Sequence, residues 1–490
     1  MSKFKTKILT GLLFGAFLCS LIALLVHIFP EMQPADKFVK SKKIASLTGR
    51  HEKVAEVFLG KVEIRSYKQM GSTPGLVRLS PDGSRVVVGT ESGEVLLLDT
   101  KGNRLWSRKI GMGKISALEF SRDNRRILVG ENSQQGAVIC IDAATGVEIW
   151  RKASVDELGV DIHQKTFPGI MSIKIDAQDN AYAVALRSIR RPSGKTDYFA
   201  RIYRFDTQGT VELFPRDQNI DVWVSWCAVT PDGGTVAFAT SDYTPGPERR
   251  FQDNIYAYDI RTGELRWSLP LATVPPYDRT NMRFGPEISA DGQFYGGVSA
   301  DGRAFLVNDS GRLLWSRTLS APQLIQGVYV NAMGHAVQHA GDFVAYSTGN
   351  TYNRANWQLP TPVEHPQSNS VFLFDHAGNF LKRRQLGGMV EELQTAGQQL
   401  VVAVGRNIRT KDPTVHGIMV MTAPGLEVVD FLPMDGPCVT AVADPVHIVG
   451  LETPLQLDSG EVRGQYKIHI WKKVGENLSG NHSVAENNFR

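Results

Sequence analysis

Apolar and polar residues alternate along most of this chain in short runs, and glycine-rich turns close the runs. The stretch LVRLSPDGSRVVVGTESGEVLLLDTKGNRLWSR, residues 76–108, shows the unit. An alternating run leads to an Asp/Gly turn, and a second run of small and β-branched residues follows. A third run then reaches an Asp/Asn-x-x-Gly turn, and a fourth carries a tryptophan. Runs of period two bounded by Gly, Asp and Ser predict strands joined as hairpins. The next copy is ISALEFSRDNRRILVGENSQQGAVICIDAATGVEIWRK, residues 115–152. Later copies begin near Met171, Trp223, Phe284, Tyr329, Val390 and Val439.

Two landmarks keep the copies in register. SPDG (80–83), SRDN (121–124), TPDG (230–233) and SADG (289–292) mark the first turn. The spans Asp99–Trp106, Asp142–Trp150, Asp259–Trp267 and Asn308–Trp315 mark the second. Trp106 and Trp150 lie 44 residues apart, and Trp267 and Trp315 lie 48 apart. Four strands in a repeat of about 45 residues predict the blade of a β-propeller. One meander cannot bury both of its faces, whereas stacking meanders around an axis covers them and leaves short edges. The expected fold is therefore all-β with eight blades; seven is the alternative count, because units three and seven are weakly marked. The last unit, VTAVADPVHIVGLET through QYKIHIWKK, offers three strands, and KVEIRSYKQ (61–69) is expected to add its fourth and close the ring.

The first 30 residues break the pattern. Lys3, Lys5 and Lys7 precede a run from Ile8 to Phe29 without Asp, Glu, Lys or Arg. At about 1.5 Å per residue a helix of this length crosses a bilayer. No small-x-small site follows Phe29, and the run exceeds the apolar region of a cleaved signal, so an uncleaved signal anchor is expected. The balance of lysines around the span is nearly even, with Lys37, Lys40, Lys42 and Lys43 after it. A short basic N-terminus before a first span favours a single-pass protein with its propeller on the extracytoplasmic side. The expected organisation is an anchor over 1–30, a linker over 31–60, a propeller over 61–474 and a polar, disordered tail over 475–490.

Composition narrows the function. Net charge is +4 on 490 residues, too little to argue for nucleic acid. Cys140, Cys227 and Cys438 stand far apart in strand-like segments, with no C-x-x-C, which predicts buried free thiols. His335 and His339 are four apart but lie in strand and turn without the helix and glutamate of a zinc motif. No G-x-S-x-G, P-loop or dinucleotide fingerprint occurs, so no catalytic residue is nominated.

IDAATGVEIW (141–150) and YDIRTGELRW (258–267) resemble the D-x-x-T-G-x-x-x-W signature of pyrroloquinoline-quinone-type propeller repeats. LDTKGNRLWSR and VNDSGRLLWSR are similar in shortened form. Quinone-dependent alcohol dehydrogenases and cofactor-free scaffold propellers, such as the outer-membrane assembly lipoprotein, share this repeat, so the resemblance implies fold before function. YSTGNTYNRANW (346–357) also resembles the Gly-Thr-Gly-Asn segment of those dehydrogenases, whose asparagine helps hold the Ca²⁺ that polarises the quinone. The resemblance makes Asn350 the one candidate cofactor ligand. Ca²⁺ needs about six to eight oxygens, and the family's glutamate, its Asp-Trp-Asp-like base and its adjacent cysteine pair have no counterparts here. Gly349 and Asn350 are instead expected to end a strand and launch a loop. No cofactor and no metal is expected; a quinoprotein dehydrogenase using pyrroloquinoline quinone and Ca²⁺ is the alternative reading.

Insertion lengths point elsewhere. In a four-stranded meander the first-to-second and third-to-fourth turns share one face of the ring. The second-to-third loops and the links between blades share the other. The first kind is short here. The second kind holds RSIRRPSGKTDYFA (187–200), SDYTPGPERRFQD (241–253), NTYNRANWQLPTPVEHPQSN (350–369), GRNIRTKDPTVHG (405–417) and ETPLQLDSGEVRG (452–464), with the link LATVPPYDRTNMR (271–283). Function on rigid scaffolds concentrates in such loops. Arg with Tyr and Trp is the composition of interface hot spots. The expected partner-binding residues are Arg190, Arg191, Tyr198, Tyr243, Arg249, Arg250, Phe251, Tyr277, Arg279, Tyr352, Arg354, Trp357, Arg406 and Arg409. The expected function is non-enzymatic: a membrane-anchored scaffold that docks a protein partner, such as a membrane transporter or redox complex.

Overall fold

The computed structural model describes residues 50–66, 75–162, 166–242, 247–274, 280–282, 284–353, 363–407 and 416–474. All of them belong to one compact unit, Ile44–Arg490. The expected membrane anchor and C-terminal tail lie outside the described residues, among which no helix is long and apolar enough to cross a membrane.

The chain is a β-propeller, built as successive antiparallel meanders. The inner strands are Gly75–Leu79, Lys114–Phe120, Gly169–Ile175, Cys227–Val229, Phe284–Ile288, Val328–Ala340, Val390–Ala396 and Cys438–Ala443. Each packs beside the next in chain order, and Cys438–Ala443 packs back on Gly75–Leu79, so the ring is closed. These starts agree with the sequence-derived units to within a few residues.

Burial across a blade follows from this stacking. The second and third strands lie between neighbouring sheets and are apolar on both faces: RVVVGT (85–90) and EVLLLD (94–99) are buried nearly throughout, while RLWSRK (104–109) on the rim is half-exposed. Blades converge toward the axis, so the second strands carry small residues where they meet the next inner strand. A Cβ on Gly130 would lie 2.5 Å from Cγ2 of Ile170, and one on Gly89 would overlap Ile115. The inner strands bulge near their loop-face ends, around Ser116, Met171, Glu391 and Val439, which re-aims side chains at the channel.

The rim tryptophans lock neighbouring blades. Trp106 donates its indole N–H to the Ala143 carbonyl (3.0 Å), Trp267 to Asp309 (2.9 Å) and Trp315 to His376 (3.0 Å). Each ring lies on a turn glycine of the following blade: Gly146, Gly311 and Gly378. Unit three has no rim tryptophan. Arg216 instead sits against Gly263 and donates to the Arg261 carbonyl (3.3 Å). In unit six Arg384 donates to the Leu426 carbonyl (2.5 Å). Units three and seven, whose rim strands VELF (211–214) and VVDFLPM (428–434) carry no tryptophan, are the two weakly marked in sequence.

The ring closes with a different segment from the one expected. His51–Phe58 pairs with Lys467–Lys473 as the rim strand of the last sheet. Residues from the 61–69 segment pair elsewhere: Arg65–Ser66 runs parallel to Leu455–Gln456. Side chains fasten the closing strand. His51 Nδ1 meets the buried Asp430 carboxylate at 2.8 Å, and Glu56 accepts from Lys467 at 3.0 Å. Glu56 also lies 3.1 Å from His469, whose other ring nitrogen meets buried Glu452 at 2.6 Å. The alternation in 61–69 resembles a strand, but it is 51–58 that closes the ring, and its His51 and Glu56 meet these buried groups.

Candidate partner-binding face

Hydrogen bonds between insertions and links show that they share one face. Asn254 beside the unit-four insertion donates to the Thr280 carbonyl (2.7 Å) and accepts from the Leu271 N–H (2.7 Å), both in the link to unit five. Arg249 of the same insertion reaches the Thr196 carbonyl in unit three (2.6 Å). His365 in unit six contacts the Ala321 carbonyl in the link before it (2.7 Å). Opposite this loop face, the turn face receives both ends of the described ring: the Val474 N–H bonds the Arg50 carbonyl (2.8 Å), and the Lys473 N–H bonds Val446 in a first-to-second turn (2.7 Å).

Several residues expected at the surface are internal. Residues 187–200 fall within a long hairpin: Ala181–Arg190 pairs with Thr196–Phe205, and its alternation turns Tyr198 inward. Tyr198 and Phe251 are each 4% exposed, in one core cluster with Phe238 and Tyr256. Arg249 is also buried, paired with Asp242 at 3.1 Å and lying over the Tyr198 ring. These three side chains hold units three and four together and do not form a docking surface.

Exposed arginines remain, but most of their charge is matched. Arg190 is exposed. Arg191 pairs with Asp197, and Lys195 beside it with Glu248. Arg250 bonds Gln218 (2.8 Å) and the Asn219 carbonyl (2.9 Å), and Asp221 lies 3.7 Å away. Arg406 sits at the channel mouth near Glu391, whose carboxyl burial pushes up to about 7 against the pull of that guanidinium. Tyr243, Tyr277, Arg279, Arg354, Trp357 and Arg409 lie outside the described residues.

Asn350 does not end its strand. Phe343–Asn353 continues past it, pairing Thr351, Tyr352 and Asn353 with Ala332, Asn331 and Val330. The Asn350 side-chain amide reaches the Arg406 carbonyl and the Met389 sulfur, both at 3.4 Å. Among the described residues no three His, Cys, Asp or Glu side chains group as metal ligands. His339 is buried against the Glu287 carbonyl (3.1 Å), and burial holds it down near about 4; the His335 ring packs on Phe284. Cys140, Cys227 and Cys438 are buried and free, and burial pushes Cys140 and Cys227 up to about 12. The channel wall is also charge-paired: Arg78 bridges Glu119 (3.0 Å) and Glu392 (3.5 Å), and Lys174 meets Glu287 (3.2 Å).

What sequence reasoning missed is apolar. Links on the loop face expose Met112 (64%), Ile162 (73%), Leu324 (60%) and Tyr329 (56%). The last two belong to a protruding hairpin, Gln323–Ile325 paired with the start of Val328–Ala340. Its signal was present in QLIQGVYV: two apolar runs separated by two residues ending in glycine.

Residues 91–162 match the family model of the outer membrane protein assembly factor BamB. The repeat is of the pyrroloquinoline-quinone type. A search of curated proteins returns no match. Among solved structures, BamB from Moraxella catarrhalis aligns at 16% identity over 67% of this chain and 79% of its own, with a TM-score of 0.39. The Cps50 (Swd1) β-propeller domain of Myceliophteria thermophila aligns at 12% identity over 69% and 95%, with a TM-score of 0.42.

Proposed function

We propose that the chain is an eight-bladed, membrane-anchored scaffold on the extracytoplasmic side, docking a protein partner through its loop face. The eight-blade count is supported by inner strands that touch in chain order around a closed ring. Apolar side chains exposed on several links of a single face carry the docking reading. Exposed apolar residues also occur at the turn-face ends of the rim strands, at Leu105, Val147 and Phe380, so the docking reading rests on Met112, Ile162, Leu324 and Tyr329 sharing a face with the long insertions. The described ends of the ring meet on the opposite face, which leaves the loop face clear of them. The partner is a membrane assembly, such as a transporter or redox complex, because the apolar run 8–29 holds the chain at a membrane. Binding rather than chemistry is the mechanism: a rigid ring presents the links, and tethering raises their local concentration.

Photo-crosslinking residues placed at Met112, Ile162 and Leu324 test the face, with Lys101 and Arg261 on the turn face as controls. A single adduct shared by the loop-face positions and missing from the controls supports the reading; adducts confined to the turn face overturn it. Deleting residues 1–30 releases the protein from carbonate-washed membranes if the anchor is real. The scaffold needs neither pyrroloquinoline quinone nor Ca²⁺, and stoichiometric quinone uptake in an absorbance titration would refute that.

A further inference from the structure

We infer that the hairpin at 323–330 is an edge to which a partner adds a β-strand, and that the added segment is extended and uncharged. This rests on the loop-face reading and specifies how that face binds. The hairpin turns through Gln326 and Gly327, both with positive φ (50° and 78°), so Ile325 and Val328 flank a two-residue turn of the primed type. In such a hairpin the flanking pair exchanges hydrogen bonds, and the next pair does not. That next pair is Leu324 and Tyr329. The Leu324 N–H and C=O therefore point outward, away from the hairpin, beside its exposed side chain. Among the described residues Gln323–Ile325 is an end strand of its sheet, paired on one side only.

Charge selects the occupant. Natural edge strands are blocked by lysines, inward charges or bulges, yet no Asp, Glu, Lys or Arg occurs from Thr318 to Gly341. Pro322 guards the approach to the strand but not Leu324 itself. Elsewhere the loop face is dense in ion pairs, around Arg191, Lys195 and Arg250. A charged peptide or an anionic lipid surface finds no complement on the hairpin. An uncharged extended segment gains main-chain bonds at Leu324 and apolar contact with Leu324 and Tyr329, which is strand addition.

The test pans a phage-displayed library of random peptides, about twelve residues long, against the full chain in detergent. The selected peptides are expected to be uncharged and rich in strand-forming residues. Pro is tolerated where an edge N–H faces solvent, so Leu324→Pro removes the outward donor while Leu324→Ala removes the side chain. Affinity is expected to fall about tenfold or more for L324P and about threefold for L324A. Gln323→Lys, which leaves the backbone untouched, is expected to abolish selection as a gatekeeping charge. An equal or larger loss in L324A overturns strand addition, as do charged selected peptides, no selected peptides, or binding indifferent to Q323K. A concentration-dependent dimer that L324P abolishes assigns the edge to a second copy and also overturns the proposal. In each case crosslinks from Met112 and Ile162 report separately whether the loop face binds at all.

Discussion

Replacing Gly378 by alanine tests the blade-to-blade lock directly. Gly378 has a φ of +83°, and a Cβ there would lie 2.6 Å from Cγ and 2.7 Å from Cδ1 of Trp315, which is only 6% exposed. Gly341, also in unit six, has a φ of +61° and nothing within 4 Å of the same position. Gly341→Ala therefore costs the left-handed backbone term alone, about 1 kcal/mol. Gly378→Ala carries that term plus overpacking of the indole, about 1–3 kcal/mol. Ring displacement also strains the 3.0 Å bond from the Trp315 indole N–H to the His376 carbonyl, worth about 1 kcal/mol. The expected difference between the variants is about 3 kcal/mol, read as a shift of the urea midpoint at constant slope with tryptophan fluorescence as the probe. Equal midpoints for the two variants would refute the lock.

Ring closure predicts that deletion through Phe58 leaves buried Asp430 without His51, and Lys467 and His469 without Glu56, so the protein aggregates or loses cooperative melting, whereas deletion through Thr48 does not. Glu56 is held near about 2, chiefly by its hydrogen bond to Lys53, with Lys467 and His469 adding to the pull. Its folded pKa is depressed, so its stabilisation is present above about 4.5 and is lost as pH falls toward 2. With a third of the side chain exposed, solvent screening reduces the effect to on the order of 1 kcal/mol; Glu56→Gln should flatten that limb of a melting-temperature profile. Glu391 behaves oppositely: its folded pKa is raised to about 7 by burial, so stability falls as pH rises from about 4.5 through 7. Glu391→Gln is expected to remove that slope and raise the melting temperature at pH 8; an unchanged profile would place the carboxylate in open solvent.

Period-two runs, Asp/Gly turns and tryptophans spaced by one blade determined the propeller and its units, because each blade is a local meander whose pattern repeats within about 45 residues. Insertion length likewise located the loop face, since strand parity alone decides which ends share a side. Tertiary structure decided what occupies that face. Tyr198, Arg249 and Phe251 look like surface hot spots in sequence, yet a neighbouring blade covers them, and no local signal reports a neighbour that approaches from across a blade boundary. The closing strand was misplaced for the same reason. Alternation in 61–69 satisfies the local rule, but the choice of 51–58 rests on Asp430, Lys467 and His469, several hundred residues away. Leu324 and Tyr329 are unremarkable apolar letters in a strand-like run. Only the fold, by setting Gln323–Ile325 at the end of its sheet, leaves them in water.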